Sequence, residues 1–226
     1  MHPIERLRAV ARAGAAPPSL LAREAAGALG IFGDDPAGLV TACRRLLDRQ
    51  PACAPLWWLS SRVLSALDPS VEARASVAAL EDDPTEEALA SCVEASAAEE
   101  GEPLVVWATA MGVDGFVCER SAVAAMAGAR EVGAPVWLVV PLGTALPIRL
   151  WHAYLSRLGV DVRGLAGGVG VGDPPAWAPI PTDGSLVVCS PAWASMAVGP
   201  AGLGSVEGAA RAAACPVAPE LLKISA

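Results

Sequence analysis

The sequence predicts an α/β protein, with an N-terminal helical domain over residues 1–100 and an α/β domain over 101–226 built on a mostly parallel sheet. Three observations predict it. Residues 3–100 are dominated by Ala, Leu, Glu and Arg, and their interruptions carry helix-start chemistry. At Glu99-Glu100-Gly101-Glu102-Pro103 acidic and breaker residues give way to the β-branched run Val105-Val106-Trp107, which places the domain boundary there. Beyond it come an apolar strand over 104–110, a break at Asp114-Gly115, a helical run ending near Val132, and a second apolar strand after Gly133-Ala134-Pro135. This is a strand-helix-strand crossover, the unit of parallel sheets, whose strand ends host ligands.

Each element has a local reason. Ala16-Pro17-Pro18-Ser19 opens a helix to about Leu29. Asp35-Pro36 opens the next, with an aspartate to accept backbone N–H bonds and a proline suited to the first turn. That helix carries Leu39, Val40, Cys43, Leu46 and Leu47 at helical spacing and ends near Arg49. A third follows Pro51 or Pro55 and stops at Asp68-Pro69, and Asp83-Pro84-Thr85-Glu86 is a capping box for a helix over 85–98. After the crossover the pattern predicts a helix over 148–158, a short strand over 160–163 and a glycine-rich stretch over 164–172. A proline-broken loop follows, then a buried strand over 186–189 and a last helix over 206–213.

Composition narrows the function. The net charge is −8, of which residues 1–100 carry −6, so nucleic acid is a poor partner, because neutralising phosphates needs clustered Lys and Arg. Lys223 is the only lysine, which argues against a Walker-type nucleotide loop. The six cysteines form no CxxC, and neither His2 nor His152 neighbours a ligand-type cluster, so no metal and no cofactor are expected. Without a signal peptide or an uninterrupted apolar stretch of about 18 residues, the expectation is a cytoplasmic protein that does not enter membranes. Hydrophobic residues make up 54% and charged residues 18%, which points to surface buried against another subunit, a homo-oligomer.

Three segments, in order, resemble the family of translation initiation factor 2B regulatory subunits and methylthioribose-1-phosphate isomerase. Arg49-Gln50-Pro51-Ala52-Cys53-Ala54-Pro55-Leu56-Trp57-Trp58 is similar to the family's Arg-Pro-Thr-Ala-Val-Asn-Leu helix start. The run from Val105 through Ala125-Met126-Ala127-Gly128-Ala129-Arg130 to Val136-Trp137-Leu138-Val139-Val140 resembles its strand, Asn-Gly turn, alanine-rich helix and Val-Pro-Val-Tyr strand. Val217-Ala218-Pro219-Glu220-Leu221-Leu222 is similar to its Pro-Pro-Glu-Leu-Ile. The resemblance implies a Rossmann-like second domain, a small phosphorylated metabolite (sugar phosphate or nucleotide) as ligand, and a homodimer.

The departures bear on chemistry. Family isomerases use a cysteine in Cys-Asn-Ala-Gly, a motif this chain lacks, and an aspartate in Gly-Ala-Asp, which falls at about Ala108. The Asn-Gly turn falls on Val113-Asp114, and the arginine before proline falls on Gln50, with Arg49 one residue away. The resemblance therefore implies ligand binding without the standard isomerase chemistry. Two alternatives stand beside it: an aldose-ketose isomerase in which a shifted register brings Asp114 and Cys118 into catalysis, and a non-catalytic oligomeric scaffold.

The candidate ligand residues are Arg49, Glu119 and Arg120, with Gly167, Gly168 and Gly170, whose backbone N–H groups can approach a phosphate. Each has a plainer reading: Asp114-Gly115 as a turn, Cys118 as a buried strand residue, Glu119-Arg120 as a helix-start charge pair, and the glycine run as a linker. Trp58, Trp107 and Trp137 sit in apolar runs and are expected in the core, whereas Trp177 and Trp193, in proline-flanked loops, are better placed for a ligand wall or subunit contact.

Overall fold

The aspartate-proline pairs set the frame of the N-terminal half. A computed structural model describes residues 3–13, 16–96, 102–162, 179–182, 184–212 and 215–222. Its first six helices are α1 (Pro3–Arg12), α2 (Pro18–Leu29), α3 (Pro36–Arg49), α4 (Ala54–Ser65), α5 (Pro69–Glu81) and α6 (Thr85–Ser96). Asp35 caps α3 by accepting from Gly38 N at 2.9 Å. Asp68 accepts from Ser70 N and Val71 N at 2.9 and 3.0 Å, so the pair expected to stop one helix also starts α5. Asp83 accepts from Thr85 N at 3.1 Å and Thr85 Oγ1 at 2.6 Å and opens α6. Helix α4 is apolar on nearly every side, with Leu56, Trp57, Leu59 and Val63 fully buried, and α2, α3 and α5 pack around it.

The strands form two sheets. The first has the order β1 (Leu104–Trp107), β4 (Val136–Val139), β7 (Met196–Gly199), β8 (Gly202–Gly204), parallel except for β8. The second, antiparallel throughout, has the order β2 (Ala110–Gly112), β3 (Gly115–Glu119), β6 (Leu186–Cys189), β5 (Ile180–Pro181). The expected first strand over 104–110 is thus divided. It leaves the parallel sheet after Trp107 and turns into the β2–β3 hairpin, tipped by Val113-Asp114 with Gly112 opposite Gly115. Helix α7 (Ala122–Glu131) then carries the chain to β4, completing the parallel β1–β4 crossover.

Residue alternation explains the uniformly apolar strands of the second sheet. Val117, Leu186 and Val188 point into a core shared with α2 to α5 and with α8 (Ile148–Arg157), whereas Phe116, Cys118, Val187 and Cys189 face α7 and the first sheet. Covered on both faces, these strands need no polar positions. At Gly112 a Cβ would fall inside the Trp151 indole of α8, so the hairpin approaches that helix only because the residue has no side chain.

The strand expected over 160–163 is absent over residues 160–162, and Arg163 lies outside the described residues. Val160 is instead part of the α8 terminus. Gly159 has φ +76°, Val160 N donates to Leu155 O at 3.1 Å and Gly159 N to Ser156 O at 3.3 Å, the pattern of a Schellman cap. Its apolar side chain is buried as the hydrophobic contact of that cap. Trp58 and Trp137 are buried as expected, but Trp107 is 48% exposed, because β1 is an edge strand and α7 packs on the face that carries Val106.

After α9 (Val206–Arg211) the chain returns to the helical half. Ser61 Oγ donates to Pro216 O and accepts from Ala218 N at 2.8 Å, while Arg44 Nε and Nη2 donate to Glu220 O at 3.0 and 2.7 Å. Ser61 and Ala218 are both fully buried. Ser61→Ala leaves the Ala218 N–H buried without an acceptor, and it is expected to destabilise the protein by ~1–2 kcal/mol, read as a lower Tm in calorimetry.

Candidate functional site

Parallel strands present their carboxyl ends on one side of a sheet, and here the ends of β4 and β7 open into a cleft of about 470 Å³. One wall is Val140-Pro141-Leu142-Gly143 after β4. A second is the glycine-rich turn and strand from Gly199 to Gly204, continuing into Ser205 and Gly208 at the start of α9. Trp58 and Arg62 of α4 close the third side, so both halves of the chain build it.

The walls are fixed by polar contacts. Asp83, already capping α6, accepts from Leu142 N at 2.8 Å through its other oxygen. Gly143, at φ +80°, lies against Pro55 of α4. Ser205 Oγ accepts from Gly208 N at 3.0 Å. Among the described lining residues Arg62 carries the only charged side chain; it lies 4.6 Å from the Trp58 ring centroid and its Nε pairs with Glu72. Cys215, whose Sγ lies 3.6 Å from Trp58 O, has its thiol pushed up to about 12 by burial. Among the described residues that line the cleft there is no carboxylate, imidazole or thiol.

The sequence-derived candidates among the described residues lie elsewhere. Asp114, at the β2–β3 tip, places Oδ2 3.0 Å from His152 Nε2 on α8. Cys118 is fully buried, its Sγ 3.9 Å from Cys189 Sγ. That hydrogen bond lowers the Cys118 thiol against the opposing effect of burial, and raises Cys189. Four residue steps along β3, roughly 13 Å of extended chain, separate Asp114 from Cys118, and the structure does not bring the two together. Glu119 and Arg120 are exposed at the far end of β3, where Arg120 N donates to Ser185 O at 2.8 Å and Arg120 Nη2 to Gly184 O at 2.9 Å. Arg49 lies in a groove of about 940 Å³ between α1 and α3, beside Arg8 and Arg45 and apart from the cleft. Gly167, Gly168 and Gly170 lie outside the described residues, as does Trp177.

Sequence reasoning did not find Arg62, Trp58 or Ser205 as site residues, because they meet only through the fold. The local signal was the recurrence of glycine at 199, 202, 204 and 208. The His152–Asp114 pair left no trace in the sequence, its members being 38 residues apart. Among the described residues no three His, Cys, Asp or Glu side chains are grouped to hold a metal ion, and no helix is long and apolar enough to cross a membrane.

Neither the protein-family models nor the curated proteins give a match to this chain. Solved structures do. The translation initiation factor eIF-2B of Pyrococcus horikoshii OT3 is similar over 90% of this chain and 96% of that one, with a TM-score of 0.57 and 10% sequence identity. At that identity the likeness is one of fold. The helical N-terminal region followed by a mostly parallel sheet with flanking helices is therefore an eIF-2B-like fold.

Proposed function

We infer that the chain is a divergent eIF-2B-like protein that binds a small phosphorylated metabolite, a sugar phosphate or a nucleotide, in the cleft at the ends of β4 and β7, without isomerase chemistry. One observation carries this reading. The cleft lies at the carboxyl ends of parallel strands, and its described lining residues combine an apolar body, one arginine, one serine hydroxyl and glycine-rich backbone, with no acid-base pair among them. Its volume suits a small ligand. Glycines let backbone approach a phosphate closely, and Arg62 supplies the opposite charge that the single lysine of the chain does not.

The isomerase reading on Asp114 and Cys118 gains no support from the geometry. Cys118 is closed in the core and Asp114 is held by His152 at the other end of β3. No turnover of pentose phosphates is expected.

The test is a thermal-shift screen against sugar phosphates and nucleoside monophosphates with the parent chain, Arg62→Gln and Arg120→Ala. A ligand at 100 times its Kd adds about 2.7 kcal/mol, a shift of roughly 5–10 °C for a chain of this size. The shift is expected in the parent and in Arg120→Ala, and lost in Arg62→Gln. No shift with any compound, or one lost in Arg120→Ala and kept in Arg62→Gln, contradicts the reading.

A further inference from the structure

An open sheet ends in strands whose outward N–H and C=O groups lack partners, and proteins blunt such edges. Of the four edges formed by the described residues, three are blunted. The outer side of β2 is bonded to the segment after β4, with Met111 N donating to Thr144 O at 3.0 Å and Leu146 N to Met111 O at 2.8 Å. Strand β5 is two residues long and ends in Pro181. Strand β8 is a three-residue Gly-Leu-Gly packed by α6.

Among the described residues nothing covers the outer side of strand β1, and its nearest proline is Pro103, just before it. It reads Leu104-Val105-Val106-Trp107, without charge, proline or bulge, and pairs only with β4. Leu104 N donates to Pro135 O and Ala108 N to Val139 O, both at 2.9 Å, so the even-numbered residues aim their amides at β4. By the two-residue period of a strand, Val105 and Trp107 aim theirs outward. No hydrogen bond meets those outward groups among the described residues. Val105 and Trp107 also project their side chains to the same face, opposite Val106, and Trp107 is 48% exposed there.

We propose that this edge is the seat of a second copy of the chain, the two β1 strands pairing antiparallel about a two-fold axis to join two four-stranded sheets into one of eight. The strand is self-complementary in one register. Outward-facing residues must form the hydrogen-bonded pairs, and centring the axis on Val106 sets Val105 opposite the partner's Trp107 and Trp107 opposite the partner's Val105. Each pair exchanges two N–H···O bonds. Centring on Val105 instead would set Trp107 opposite Pro103, which has no N–H. In the favoured register each exposed indole covers a β-branched side chain directly across the strand, a stabilising cross-strand pair. An isologous contact of this kind closes at two copies and leaves no free edge to propagate.

Val105→Pro tests it cleanly, because the Val105 N–H is not used by β4 and an edge strand tolerates proline on its outward side. Trp107→Glu is a second variant, which places a carboxylate against an apolar residue in both halves. Sedimentation velocity of the full chain at about 1–100 μM is expected to show a dimer whose Kd rises at least tenfold in each variant, with unchanged far-UV circular dichroism. Leu67→Glu, at an exposed apolar residue between α4 and α5, is expected to leave the dimer intact. A parent chain that is monomeric throughout, or a dimer that both β1 variants leave undisturbed, overturns the proposal.

Discussion

Gly112→Ala is expected to lower stability by ~3 kcal/mol or to prevent folding outright. The added methyl has no place to go, because its ideal position lies inside the indole of Trp151, which is itself fully buried and stacked on Tyr154 with ring centroids 5.9 Å apart. Tyr154 in turn meets Trp57 edge-on at 6.1 Å and donates its hydroxyl to Ala52 O at 3.1 Å. Moving Trp151 therefore disturbs a chain of close contacts from the β2–β3 hairpin to the centre of α4. Overpacking of a rigid site costs about 1–3 kcal/mol, and this ring is held on several sides. Denaturant unfolding followed by tryptophan fluorescence measures the cost. A midpoint within error of the parent would mean that the hairpin can shift away from α8.

Asp83→Ala is expected to cost ~2–3 kcal/mol and to weaken ligand binding in the cleft as well. One carboxylate makes three contacts here: it caps α6 through Thr85 N and Thr85 Oγ1, and it fixes the loop after β4 through Leu142 N. Losing a helix cap costs about 1 kcal/mol, and a hydrogen bond to a charged group about 1.5–3 kcal/mol. Asp83→Asn keeps one carbonyl oxygen for the cap but cannot accept on both sides, so it should recover most of the stability and little of the binding. Calorimetry with a parallel titration of whichever phosphate shifts the parent separates the two roles. Equal affinity in Asp83→Ala and the parent would show that the β4 loop does not depend on this carboxylate.

The helices were legible because their caps are local. Asp35-Pro36 and the apolar spacing that follows give α3 with the bounds of the structure, Pro36–Arg49. The crossover was legible for the same reason, from its apolar runs and the Gly133 break. The β2–β3 hairpin was not, because its strands are short, its tip Val113-Asp114 lacks the usual Asn-Gly signal, and burial on both faces erases the polar-apolar alternation. The β7–β8 hairpin was hidden by its glycines, which read as loop. Val160 shows the converse error, an apolar residue taken for a strand that serves a helix terminus.

The site was less legible than the fold. Reading ligand residues from the crossover directs attention to the β2–β3 tip and the end of β3, where Asp114 and Arg120 lie. The cleft instead forms where β4 and β7 end against α4, and Arg62 reaches it from a position 137 residues before Gly199 in the chain. Contacts of that range depend on how the helical region docks on the sheet, and no local pattern encodes them.

The central claim is that the cleft holds the ligand. Hydrogen exchange of the parent chain, with and without the sugar phosphate or nucleoside monophosphate that gives the largest thermal shift, tests it directly. The account predicts slowed exchange at residues 141–143 and 199–205. Slowing confined to the Arg120–Ser185 contact or to the α1–α3 groove around Arg45 and Arg49, or no slowing at all, would contradict it.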